Sequence, residues 1–100
     1  MTPILPPGAT ARDRTLYYLA HRERWPLWPF LPVVRRRPGR DEELGVLFDA
    51  LNACGLAGFS TTIFLTNMFL MPRELERFLA LPHETFDSSE EVVAGGWTVD

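Results

Sequence analysis

The side chains in this sequence that could serve catalysis or metal binding are few. They are His21, His83, Cys54 and the neighbouring acids Glu42/Glu43 and Glu90/Glu91. A tetrahedral zinc site takes four nitrogen, sulfur or oxygen ligands, so two histidines and one cysteine fall short of it without carboxylates. No two of them stand at metal-binding spacing, and His83 and Glu84 are merely adjacent. A Cys54–His dyad lacks any flanking signature, and Cys54 in Asn52-Ala53-Cys54-Gly55-Leu56 reads as a small buried or turn residue. Acids adjacent in sequence point in different directions, so neither pair sets two carboxyls across a pocket. All ten basic residues are arginine, which excludes a Schiff-base lysine, a P-loop lysine and a lysine general base. There is no glycine-rich phosphate loop. These residues assign no catalytic, cofactor-binding or metal-ligating position, and the expectation is a protein that is not an enzyme on its own. A small enzyme subunit with an unrecognised site is the alternative.

Recognition chemistry is better represented. In Trp25-Pro26-Leu27-Trp28-Pro29-Phe30-Leu31-Pro32-Val33 proline recurs at every third position. A polyproline II helix has three residues per turn, so Trp25, Trp28 and Leu31 would share one edge, and Leu27, Phe30 and Val33 another. The Pro-x-x-Pro-x-Arg arrangement of an SH3-type ligand fails by one position, since Val34 stands where arginine is needed and Arg35 follows. With two apolar edges the segment is expected to pack over the core as a rigid strap. Arg35, Arg36, Arg37 and Arg40 come next, broken by the turn signal Pro38-Gly39. Arginine beside tryptophan suits phosphate backbones and stacked bases. Asp41, Glu42 and Glu43 follow at once, however, and favour a self-compensated loop. Aromatic residues and arginine are also enriched at the cores of protein interfaces. The expected contact region is therefore Trp25, Trp28, Phe30, Arg35, Arg36 and Arg37. The function expected from it is a non-catalytic protein-interaction module or accessory subunit, self-associating or bound to another protein. The competing class is a nucleic-acid-binding protein using the same Arg and Trp patch.

The elements that must position these residues are organised around Ala50 to Pro72, which contains no charge. Within it Phe59 to Phe69 is rich in Phe, Thr and Ile, with Ser60, Thr62 and Thr66 making one face more polar, as in a half-buried strand. A transmembrane helix is rejected because Asn52, Gly55, Gly58, Ser60, Thr61, Thr62, Thr66 and Asn67 interrupt the apolarity. A strand leaves its backbone unpaired without a neighbour. Gly45 to Ala50, turned back through Leu51 to Gly58, supplies one. The local pattern Leu44, Leu47, Phe48, Leu51 with Gly55 as a C-cap also fits a helix over 42–54, which would make the protein mostly α. That helix followed by another would imitate a helix-turn-helix. The second helix would present Ile63, Phe64, Leu65, Met68 and Phe69, which cannot read a major groove. Thr10 with Asp13 opens a helix to about Arg24. A second helix runs near 72–80, and a third near 89–94 is capped by Asp87, Ser88 or Ser89 and stopped by Gly95-Gly96. Trp97 to Val99 reads as an edge strand. The expected fold is α+β: a small antiparallel sheet from about 45–50, 59–69 and 97–99, packed by those helices.

Length bounds the rest. One hundred residues imply one domain over 1–100, with 1–9 a proline-rich, loosely held lead-in. Hydrophobic residues at 46% and charged residues at 23% are those of a globular protein. A single cysteine forms no internal disulfide, and no basic-then-apolar leader stands at Met1 to Gly8, so a cytoplasmic protein with no membrane partner is expected. Residues 1–40 hold eight arginines against Asp13 and Glu23, whereas residues 41–100 hold Arg73 and Arg77 against eleven acids. The halves are expected to face one another across the fold.

Overall fold

The structure is a computed structural model and describes residues 8–100. The lead-in expected at 1–9 therefore lies, over residues 1–7, outside the described residues. Helix α1 (Ala11–Ala20) begins at the expected cap. Thr10 Oγ1 accepts from the Asp13 N–H at 3.1 Å, and the Thr10 N–H donates to Asp13 Oδ2 at 3.0 Å. That backbone bond from Thr10, reinforced by its hydroxyl, holds the Asp13 carboxyl below its ordinary pKa. The helix stops at Ala20, short of Arg24, and Arg22–Arg24 forms a 3-10 turn. The break swings Trp25 inward, where its Nε1–H donates to the Tyr18 carbonyl at 2.8 Å and the ring is buried.

Among the described residues five strands form one antiparallel sheet: β1 (Phe30–Arg35), β2 (Glu43–Phe48), β3 (Thr62–Phe64), β4 (His83–Thr85) and β5 (Trp97–Val99). Their order is β4-β3-β2-β1-β5. Helix α2 (Ala50–Cys54) joins β2 to β3, α3 (Leu75–Leu79) joins β3 to β4, and α4 (Ser89–Ala94) joins β4 to β5. The fold is thus a small α+β domain. The strand partner required by Phe59 to Phe69 is β2, with Val46 opposite Phe64 and Leu47 opposite Ile63. The competing helix over 42–54 exists only as its last five residues, closed by Gly55 at φ 74°. Ser88 caps α4, its Oγ accepting from the Glu91 N–H at 3.2 Å.

Three expectations are corrected. The strap over 25–33 is not polyproline II, because from Phe30 onward it is a central strand paired with β2 on one side and β5 on the other. Pro32 is tolerated there for a geometric reason. Its carbonyl accepts from the Asp100 N–H at 3.1 Å, on the β5 side. The nitrogen of a strand residue points the same way as its carbonyl, so the missing N–H removes nothing from the β1–β2 ladder. The strand over 59–69 shrinks to three residues. Asn67 ends it, since its Oδ1 accepts from the N–H groups of Phe69 at 2.9 Å and Leu70 at 3.1 Å and folds the chain into a turn. The helix near 72–80 shortens to Leu75–Leu79. The sequence reading also lacks β4, which pairs Thr85, Glu84 and His83 with Thr62, Ile63 and Phe64.

The sheet is covered on both faces, which is why Thr62, Ile63 and Phe64 are all buried. One face carries Leu31, Val33, Leu47, Ile63 and Trp97 under α1 and α4, with Leu19, Trp25 and Val92 facing them. The buried Thr15 ties α1 to the sheet edge, its hydroxyl donating to the Ala11 carbonyl at 2.7 Å and accepting from the Val99 N–H at 3.0 Å. The opposite face carries Val46, Phe48 and Phe64 against Phe78 of α3, with Phe30 beside them. Phe64 and Phe78 have ring centroids 4.5 Å apart, and Phe30 stacks on Phe48 at 5.1 Å.

Candidate interaction surface

Strand β1 and the loop before it divide the expected contact residues between interior and surface. Trp25 is part of the core, and Phe30 is half-buried against Phe48. Arg35 is buried on the face under α1 and α4, beside Trp97. Its guanidinium donates to Glu43, lies 3.2 Å from a Glu84 carboxylate oxygen and sits 4.5 Å from the centroid of the Trp97 ring. Arg36 and Arg37 are exposed at the β1–β2 hairpin but pair with Glu42 and Glu43. The hydrogen bond from Arg35, reinforced by Arg37, holds the Glu43 carboxyl below its ordinary pKa, and the same bond raises that of Arg35. The hairpin is therefore charge-compensated, as the arginine-rich loop followed by three acids implied, and Arg35–Glu84 and Arg22–Asp49 join the two charged halves of the sequence.

Trp28 is the residue of the set that combines exposure with a fixed position. Its Nε1–H donates to Asp49 Oδ2 at 2.8 Å. The buried Asp49 carboxylate also accepts from the Asn52 amide at 3.0 Å and lies 3.8 Å from an Arg22 nitrogen. Burial lowers the pKa of Arg22, and Asp49 opposes that shift. Arg22 in turn donates to the Ser60 carbonyl and lies over the Trp25 ring. The Asp49 N–H donates to the Pro29 carbonyl at 2.8 Å, so one residue at the end of β2 clamps the whole 26–29 turn. The Trp28–Pro29 peptide bond is cis. Trp28 remains 46% exposed, and Leu27 beside it is 53% exposed.

Leu27 is a ridge between two grooves. On one side a groove of about 370 Å3 runs between α1 and the β1–β5 edge, lined by Arg14, Tyr18 and Val99 among others. On the other a groove of about 350 Å3 is bordered by Leu27, Pro32, Leu44, Met68 and Phe69. Leu44 is 41% exposed and Phe69 is 96% exposed. The sequence reading missed Leu27, Leu44 and Phe69 as surface residues. It assigned Leu27 to a packed strap and Phe69 to the buried face of a long strand. The signal that could have placed Phe69 outside is Asn67, a turn former two residues earlier.

Other chemistry-bearing residues do not converge. His83 Nδ1 contacts the Leu81 carbonyl at 2.7 Å, His21 lies by Glu23, and Cys54 is an exposed free thiol at the end of α2. Among the described residues no three of His, Cys, Asp and Glu are placed to hold a metal ion, and no helix is long and apolar enough to cross a membrane. Comparison with protein-family models, with curated protein sequences and with solved structures finds no match to this chain.

Proposed function

We propose that this protein is a non-catalytic, intracellular protein-interaction module, acting as an accessory or self-associating subunit, and that it binds through the apolar surface around Leu27 and Trp28. The observation that carries this reading is the groove bordered by Leu27, Leu44 and Phe69, because three exposed large apolar side chains converge on one depression and the largest apolar patch of a chain is often its functional one. Of the residues named from sequence, Trp28 stays exposed on the turn beside Leu27, where it faces a separate depression with Glu23, Asp49 and Asn52. Arg36 and Arg37 are exposed at the β1–β2 hairpin, Phe30 is half-buried, and Trp25 and Arg35 are buried on the face of the sheet under α1 and α4. An exposed free thiol at Cys54 suits a reducing cytoplasmic compartment.

Binding of a hydrophobic fluorescent dye tests this reading. The dye is expected to bind the wild-type protein, to lose most of its signal in Leu44→Asp, and to respond little to salt. Nucleic-acid binding is the competing outcome. Arg35, Arg36 and Arg37 at the hairpin are already paired with Glu42, Glu43 and Glu84, which weighs against it. Co-sedimentation with single-stranded nucleic acid that fades between low and moderate salt would overturn the interaction reading in favour of phosphate binding.

A further inference from the structure

The turn that ends β3 displays two apolar side chains outward while its backbone is tied down. Asn67 Oδ1 accepts from both the Phe69 and Leu70 N–H groups, and the Leu70 N–H also lies 3.1 Å from the Asn67 carbonyl. Phe69 and Leu70 are thereby held out as a knob, 96% and 74% exposed. Phe69 forms one wall of the 350 Å3 groove without filling it. Knob and depression therefore lie side by side on one surface, and self-complementarity of one patch is the requirement for a two-fold interface.

We propose that the partner of this surface is a second copy of the same chain, with Phe69 of each protomer seated in the other's groove between Leu27, Pro32, Leu44 and Met68. The proposal rests on the interaction reading above and names its occupant. Area favours it. At about 200 Å2 for a fully exposed large side chain, Phe69, Leu70, Leu27 and Leu44 together expose about 500 Å2. That is within the range of the largest apolar patch on a typical monomer, and two copies together reach about 1,000 Å2 from these four side chains alone, the lower threshold of a specific interface before any rim contacts are added. A reciprocal seat also closes at two, because each knob occupies the other's groove and leaves no third one open.

Sedimentation velocity across a micromolar concentration series tests the arrangement. The mass is expected to rise from one chain to two and stop there, with little change between low and moderate salt. Phe69→Ser removes both knobs of a dimer and is expected to weaken association by about a hundredfold. Leu44→Asp is expected to act likewise, while Leu51→Ser, an exposed residue on α2 outside the groove, leaves it unchanged. Unaltered circular dichroism establishes that each variant folds. A mass that keeps rising beyond two would overturn the two-fold seat, and a dimer that survives Phe69→Ser would place the contact elsewhere. A monomer throughout that still binds the dye overturns self-association and leaves the interaction surface standing. A monomer that does not bind the dye overturns both.

Discussion

Gly45 lies in β2 where neither a turn nor a positive φ calls for glycine, and the reason for it is contact. A Cβ built there would stand 2.5 Å from Ile63 Cγ2 and 3.0 Å from Trp97 Cζ3. The six-membered ring of the Trp97 indole abuts this bare stretch of backbone through Cζ3 and Cη2, and the Arg35 guanidinium lies over the indole. Gly45→Ala is therefore expected to destabilise the protein by about 1–3 kcal/mol, although alanine at an unhindered glycine commonly stabilises. Chemical denaturation measures this, and an unchanged midpoint would mean that the indole does not rest on β2. Glu43, across the same cluster, has a depressed pKa because Arg35 and Arg37 hydrogen-bond its charged form. A carboxyl whose folded pKa is depressed contributes stability above its unfolded pKa and loses it as the pH falls through the folded value. Asp13, depressed by its bonds with Thr10, acts in the same direction. Stability is thus expected to fall from about pH 5 downward. In Glu43→Gln the fall should be shallower, and equal slopes for variant and wild type would show that this pair contributes nothing to acid sensitivity.

At the scale of elements, the most instructive case is β1. Three prolines at a spacing of three concealed a central strand, since proline in such a position ordinarily removes a ladder bond. The escape lies in orientation, which sequence does not carry: Pro32 presents its nitrogen to the β5 side, at Asp100, whereas Val33 presents its N–H to Gly45 of β2. Two substitutions separate these sides. Pro32→Val is expected to change stability by less than about 1 kcal/mol, whereas Val33→Pro is expected to cost about 3 kcal/mol or more, read from thermal or denaturant midpoints. Equal losses would contradict the register. Local signals did reveal the ends of elements. Thr10 with Asp13, Ser88 and Gly55 each cap where their types predict, because capping depends on neighbours within four residues. The choice of β2 over a helix came from the need of Phe59 to Phe69 for a partner. The three-residue strands β3 and β4 were beyond such reasoning, since their extent is set by Asn67 and by pairing between Thr62 and Thr85. Of the contact residues expected from sequence, only Trp28 remains an exposed aromatic. Trp25 and Arg35 have the composition of an interface but are consumed by the Tyr18 carbonyl and by Glu43 and Glu84.

For the whole molecule, the sheet is the shared wall of two apolar clusters, one containing Trp25 and Trp97 and the other containing Phe48, Phe64 and Phe78. Leu47 and Val46 are neighbours in β2 that face opposite clusters, as are Ile63 and Phe64 in β3. Losing either cluster bares one side of both strands, so neither can melt while the other remains packed, and 100 residues should unfold as one domain. Phe78→Ala and Val92→Ala probe the two sides separately. Each is expected to lower stability by about 2–4 kcal/mol. The sharper test is in the probes. Tryptophan fluorescence reports mainly the cluster around Trp25 and Trp97, and far-ultraviolet circular dichroism reports the whole backbone. Phe78→Ala, on the opposite face from both tryptophans, should nonetheless shift the two transitions equally. A fluorescence transition that stays at the wild-type midpoint while the dichroism transition moves would show that the sheet does not couple its two faces.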